Sequence, residues 1–223
     1  MKKLSFIFFI FLFVACNNNG VSVPELKFDG MKGNVARVKQ SKHEAKEKFG
    51  EVIPSNLIEL QVYDFDEDGH LVSENIYDED GDRKWSYKEI YENGVLVSTD
   101  FCFGQQHFVR KALERKKNYI KWDDHEEFYD GLYRKDVFSD YCSEVSFDKN
   151  GRVLSVLNIK ENGDTTYRKI NKFDKNGVLV REENNGSVIT YSYKEFDQKG
   201  NWVKAVCIED DVMFLLEREI QYR

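Results

Sequence analysis

Residues 118–142, NYIKWDDHEEFYDGLYRKDVFSDYC, interleave Trp122, Phe128, Tyr129 and Tyr133 with Asp123, Asp124, Glu126 and Glu127. Aromatic rings stack on the apolar faces of sugars while carboxylates accept hydroxyl protons, so these four aromatics are the first candidates for a ligand-binding surface, for a glycan or for a protein. Alternating aromatics are also what a β-sheet core requires. The same acids offer a second chemistry, a glycosidase-type pair of carboxylates about 5–9.5 Å apart. In a chain with 40 acids, proximity along the sequence is a weak signal for such a pair. No H-E-x-x-H, G-x-S-x-G, P-loop or dinucleotide fingerprint occurs. His43, His70, His107 and His125 are scattered, and no Cys/His pair shows the usual metal-ligand spacing. The reading is a non-catalytic protein with a binding or scaffold role and without a cofactor or metal, with an envelope glycan hydrolase acting through acidic residues of 98–142 as the alternative.

Another stretch, YDFDEDGHLV (63–72), sets Asp64, Asp66 and Asp68 at alternate positions before Gly69. These match the first ligand positions of an EF-hand loop, but its twelfth position, normally a bidentate glutamate, is Asn75, and the flanks are rich in strand formers. They are therefore a weak calcium candidate, and a calcium-stabilised adhesin module is a lesser alternative. A turn explains the stretch better, because it recurs: FDEDGHLV, IYENGVLV, FDKNGRVL, FDKNGVLV and FDQKGNWV align on Gly69, Gly94, Gly151, Gly177 and Gly200. An aromatic or isoleucine stands four residues before each glycine and an apolar pair follows two residues after it. Asp-Gly and Asn-Gly supply the positive φ angles that tight hairpins require. Intervening turns at Gly81, Gly163 and Gly186 leave room for strands of ordinary length.

These units resemble YD-repeat (Rhs-like) proteins, FDQKGNW at 196–202 most closely, over roughly 57–98 and 143–223. The resemblance implies hairpin-linked strands and the company of small envelope lipoproteins. It does not carry over the cargo-enclosing shell of large Rhs proteins, for which five units are too few. The fold expected is all-β, an antiparallel meander of ten to fourteen strands forming an open, curved sheet or partial barrel. Residues 98–142 read as an irregular segment or insertion within a single 31–223 domain. For 31–56 a long first strand is preferred to a short helix over Lys42 to Phe49.

The N-terminus, MKKLSFIFFIFLFVAC, has two lysines, an apolar run too short to span a bilayer, and Ala15 before Cys16. Phe13, Val14, Ala15 and Cys16 resemble a bacterial lipobox, Phe13 departing from the usual leucine. The resemblance implies removal of 1–15, acylation of Cys16, and a flexible tether over 16–30. The expected location is a Gram-negative envelope membrane, the outer membrane first, with the lipid as the membrane contact. A net charge of −7 speaks against nucleic-acid partners. Of the remaining cysteines, Cys102 and Cys142 are the preferred disulfide, because both flank the irregular segment.

Overall fold

The computed structural model describes residues 31–223 apart from 68, 70, 93, 94 and 117. Cys16, the signal peptide, the tether, Asp68 and Gly94 lie outside the described residues. Among the described residues the chain forms sixteen strands. They are β1 (Val35–Lys48), β2 (Glu51–Phe65), β3 (Leu71–Asp78), β4 (Arg83–Glu92), β5 (Val95–Phe103), β6 (Gln106–Lys116), β7 (Tyr119–Trp122) and β8 (Glu126–Asp130). There follow β9 (Tyr133–Val137), β10 (Tyr141–Phe147), β11 (Val153–Lys160), β12 (Thr165–Phe173), β13 (Leu179–Asn184), β14 (Ser187–Phe196), β15 (Trp202–Glu209) and β16 (Val212–Tyr222). Each pairs antiparallel with its neighbours in sequence, and β16 pairs with β1.

The meander was expected; its closure corrects the open sheet or partial barrel. The seam sets Val38 opposite Ile220, Gln40 opposite Arg218 and Lys42 opposite Leu216. Arg218 Nε donates to Gln40 Oε1 at 2.8 Å, and the Arg223 guanidinium donates to the carbonyls of Val35, Phe65 and Asp66. The last residues thus tie the first hairpin to the last strand, leaving no edge to be capped. The first strand of 31–56 is realised as β1. Residues 98–142 are built largely of strands, and β6–β9 continue the wall in register rather than forming an irregular segment.

An up-and-down meander sends alternate turns to opposite ends. The turns of the main repeat, at Gly69, Gly151, Gly177 and Gly200, therefore share one rim, and Gly81, Gly163 and Gly186 share the other. At Gly151, Gly177 and Gly200 the aspartate of the repeat closes the turn. Asp148 accepts Gly151 N–H on its carbonyl at 2.9 Å and donates its own N–H to Arg152 O at 2.9 Å. Its carboxylate accepts the N–H groups of Asn150 and Arg152 at 2.8 and 3.0 Å. Asp174, Asp197 and, on the opposite rim, Asp78 repeat the same four bonds. Gly177 shows why the position after Asn must be glycine. Its φ is +84°, and an added Cβ would stand 2.0 Å from an Arg152 guanidinium that Asp148 and the Phe173 ring already hold in place.

Alternation along the strands fixes the two faces of the wall. The outer face carries ion pairs such as Arg37–Asp64 (2.5 Å), Lys121–Glu126 (3.3 Å), Lys135–Glu144 (3.3 Å) and Lys204–Glu217 (3.4 Å). In hydrocarbon, charges at mid-depth would cost about 2–4 kcal/mol each. Strands β7–β9 have only four or five residues, against about 9–11 for a bilayer span. This wall is built to face water. The tip of the β1–β2 hairpin folds over part of it, where Ala45 and Val52 cover the outward Val206 and Leu215.

The inner face is aromatic and ionic. Among the described residues its apolar side chains gather in separate patches: Val38, Tyr63 and Phe65 near the seam, Leu96, Ile120, Trp122 and Tyr129 on β5–β8, Val145, Phe147 and Val156 on β10–β11, and Ile189, Trp202, Ala205 and Leu216 on β14–β16. Many inward side chains, among them Val38, Tyr63, Glu74, Arg134 and Val145, are almost wholly shielded from solvent.

Candidate functional site

Strand alternation divides the four aromatics singled out from the sequence. Trp122 and Tyr129 point inward and are buried, whereas Phe128 and Tyr133 point outward and are 41% and 37% exposed. Phe128 packs instead on Tyr119, with ring centroids 5.2 Å apart. Neighbours in a strand cannot share a face, so Phe128 and Tyr129 never belonged to one surface.

Around Trp122 and Tyr129 the inner wall holds a chain of charges. Arg110 Nε donates to Asp124 Oδ2 at 2.7 Å, and Asp124 Oδ1 meets His125 Nδ1 at 2.6 Å. His125 Nε2 lies 3.2 Å from Glu127 Oε1, and Tyr129 donates its hydroxyl to Glu127 Oε2 at 2.5 Å. Across the strand pair Glu127 faces Asp136, which receives Arg134 Nη2 at 2.7 Å. The His125 ring stacks between Trp122 and Phe138, and Phe138 on Tyr141, in a column with spacings of 6.0, 4.6 and 4.5 Å.

Burial alone would push the Glu127 carboxyl up, but hydrogen bonding from His125, the Arg134 charge and the Tyr129 hydroxyl outweigh it and hold it below the ordinary range. Asp136 moves the other way, because burial exceeds the pull of Arg134 and the Glu127 charge adds to it. Burial disfavours protonated His125, yet its bonds to Asp124 and Glu127 raise its pKa overall. Several buried polar atoms on the same wall have no protein partner: Trp122 Nε1, Arg115 Nε and Nη2, Arg134 Nε, Asp136 Oδ1, Ser143 Oγ and Asn158 Oδ1. Asp136, Ser143 and Asn158 sit opposite one another on β9, β10 and β11. Buried donors and acceptors of this kind are normally satisfied, so each is an exception that costs stability.

A concavity lies elsewhere, at the rim of the repeat turns. It is a half-open cavity of about 900 Å³, within the range of small-molecule sites. One side is aromatic, with Tyr191, Tyr193, Phe196 and Trp202; Tyr193 and Trp202 are tilted together at 5.4 Å. Arg218 lies 3.5 Å over the Trp202 ring. The other side is polar, with Asn150, Arg152, Asp174, Asn176 and Asn201 from the turns. Asn201 also pins the incoming chain, accepting Lys32 N–H at 2.7 Å and donating to Lys32 O at 2.8 Å. Among the described residues the only carboxylate in the lining, Asp174, is held below its ordinary pKa by backbone N–H groups, those of Val178 and Asn176 foremost. Most of the lining belongs to the repeat turns, whose convergence on one mouth follows from the alternation of turns between rims and not from their spacing along the chain.

No family model matches this chain, and neither does any curated protein. Solved structures that align with it include a porin-like protein from Bacteroides uniformis ATCC 8492, 7% identical over 86% of this chain and 98% of that one, with a TM-score of 0.34. A DUF1329 family protein from Desulfovibrio piger ATCC 29098 is 11% identical over 84% and 86% (TM-score 0.28). A LolA superfamily protein from Nitrosomonas europaea is 8% identical over 86% and 88% (TM-score 0.24). At these scores the likeness carries no functional argument.

The calcium candidates do not converge among the described residues. Asp64 faces outward, its two oxygens accepting from Arg37 Nε at 2.5 Å and Ser73 Oγ at 2.8 Å. Asp66 belongs to the turn itself, with its carbonyl accepting Gly69 N–H at 3.2 Å. The disulfide expected between Cys102 and Cys142 is corrected: both are free thiols, on β5 and β10, five strands apart around the wall. Cys207 points inward, and burial pushes its thiol up to about 11.

Proposed function

We propose that this is a lipid-anchored, non-catalytic binding protein of a bacterial envelope, taking a polyhydroxylated ligand, a glycan, in the mouth at the repeat-turn rim. The carrying observation is that cavity: four aromatic rings face a row of amide, guanidinium and backbone groups set by the Phe-Asp-x-x-Gly turns. Rings on one side and hydrogen-bonding groups on the other match a sugar's apolar and hydroxyl faces. The non-catalytic reading is supported by the state of the Asp174 carboxylate, which is spent on the turn and ill-suited to give up a proton. Acylation of Cys16 follows from the lipobox resemblance. The repeat turns are read as YD-like units built into a closed wall. Since the chain enters beside Asn201, the mouth opens on the side from which the tether would come.

Two measurements check the two halves. Labelled palmitate should enter the wild-type chain expressed in a Gram-negative host and fail to enter Cys16→Ser; equal labelling of both would remove the anchor. In a glycan-binding screen followed by titration, Phe196→Ala and Tyr191→Ala should each weaken the selected glycan about tenfold, the loss of one stacking ring. Phe128→Ala, on the outer wall, should leave affinity unchanged. Absence of any glycan hit, or sensitivity to Phe128 rather than Phe196, would sink the mouth as the site.

The Glu127–Asp136 pair favours a second reading, an envelope glycan hydrolase, because two facing carboxyls driven apart in pKa are how an acid and a base are assigned. Both are buried in the wall, and neither lines the mouth. Shortened glycan products that vanish in Glu127→Gln would replace the binding reading with this one.

A further inference from the structure

We propose that Asp100, Cys102 and His107 form a site for a divalent ion of the zinc class on the outer wall, independent of the glycan mouth. The three residues lie on the β5–β6 hairpin. Its register sets Cys102 directly opposite His107, and Asp100 stands two residues before Cys102 on the same face. Their donor atoms, a carboxylate oxygen, a thiol sulfur and an imidazole nitrogen, all lie within 4.8 Å of one another. His107 Nε2 and Asp100 Oδ1 are 2.6 Å apart.

Sulfur, nitrogen and one carboxylate is the donor set that zinc accepts, with three protein ligands and a fourth position left open. It is a poor set for calcium or magnesium, which take oxygen. Zinc bond lengths place neighbouring donors about 3.5 Å apart, so the ion would part the Asp100–His107 contact by roughly 1 Å and displace the thiol proton. The backbone under the site is firm. Phe101 and Phe103, between and beyond the ligands, point inward, where Phe101 stacks on Phe108 at 5.4 Å and carries Arg110 at 5.0 Å. Cys102 is free and half-buried, and His107 is exposed, so the donors are open to an ion from solvent. On the adjoining strand β4, Ser86 lies opposite Cys102 and Lys88 opposite Asp100. Linear spacing hid this set, because cross-strand opposition rather than a loop or helix repeat joins Cys102 to His107.

The test uses the tag-free full chain in detergent, reduced and then freed of reductant, titrated with Co²⁺ and with Zn²⁺. The expected result is one ion per chain, with a thiolate-to-cobalt charge-transfer band. Cys102→Ser should abolish the band, and Cys102→Ser and His107→Ala should each weaken Zn²⁺ by more than about tenfold, since even loss of a ligand's supporting bond costs that much. Cys142→Ser, also outward-facing but on β10, should change neither. All three substitutions lie on the outer face, and circular dichroism reports whether each variant is folded. No band in the wild type, a band that survives Cys102→Ser, or one lost in Cys142→Ser would each overturn the site.

Discussion

Arg134→Met should lower the unfolding free energy by about 3–5 kcal/mol, the cost of leaving a buried charge uncompensated. The Arg134 side chain is 1% exposed on the inner face of β9, and its bond to Asp136 is 2.7 Å long. It also compensates Glu127, whose carboxyl stays ionised in part because of the Arg134 charge. Removing the guanidinium leaves two facing acids in a dry wall, with His125 and Tyr129 as the remaining support for Glu127. Because the loss comes from stranded charge more than from the pair's own worth, Arg134→Met combined with Asp136→Leu should recover part of it. Lys135→Met supplies the contrast one residue along. That lysine faces outward, 40% exposed and 3.3 Å from Glu144, and its removal should cost under about 1 kcal/mol. Urea unfolding of the four chains decides the matter. Equal losses at positions 134 and 135 would mean that water reaches the inner wall and that the network is not dry.

The sequence already contained the local half of this architecture. Asp and Gly in FDKNG dictate a turn through short-range bonds, so each hairpin at Gly151, Gly177 and Gly200 could be read without knowing the fold. Closure could not, since it depends on Arg218 reaching Gln40 and on Arg223 reaching Phe65, contacts between opposite ends of the chain. The repeat also fades over β6–β9, where β7–β9 shorten to four or five residues and the turns lose the Asp-x-x-Gly pattern. That is why sixteen strands looked like ten to fourteen with an insertion. The candidate site failed for a different reason. Composition drew attention to 118–142, but only strand parity separates Trp122 and Tyr129 from Phe128 and Tyr133. Parity in turn follows from registers that the worn turns do not announce. Arg134 and Asp136 went unnoticed because an Arg-x-Asp spacing is ordinary on any exposed strand. Its meaning comes from Tyr129 and Glu127 lying opposite them on β8.

The pH dependence of stability should be dominated on its alkaline side by Glu74, and Glu74→Gln should remove most of that limb. Glu74 lies on the inner face of β3, opposite Tyr63 and Tyr87, and is 1% exposed. Burial pushes its carboxyl from 4.5 to about 8, against the pull of the Trp85 indole and with a further push from Glu59. The folded chain therefore holds a proton that the unfolded chain releases near 4.5. The stability tied to that proton is complete below the unfolded value and drains away as pH rises through about 8. At 1.4 kcal/mol per unit, the loss is on the order of 4–5 kcal/mol at alkaline pH. His125 and Asp136, whose pKa values are also raised, act in the same direction, whereas Glu127, held low, adds stability that is lost as pH falls. Glutamine keeps the shape of the protonated acid and cannot ionise. The variant should therefore match the parent at about pH 4.5 and exceed it by a few kcal/mol at about pH 9, the other three groups being common to both chains. Urea titrations at those two pH values would expose the alternative, in which parent and variant lose stability in parallel because water enters the barrel and lets Glu74 ionise without penalty.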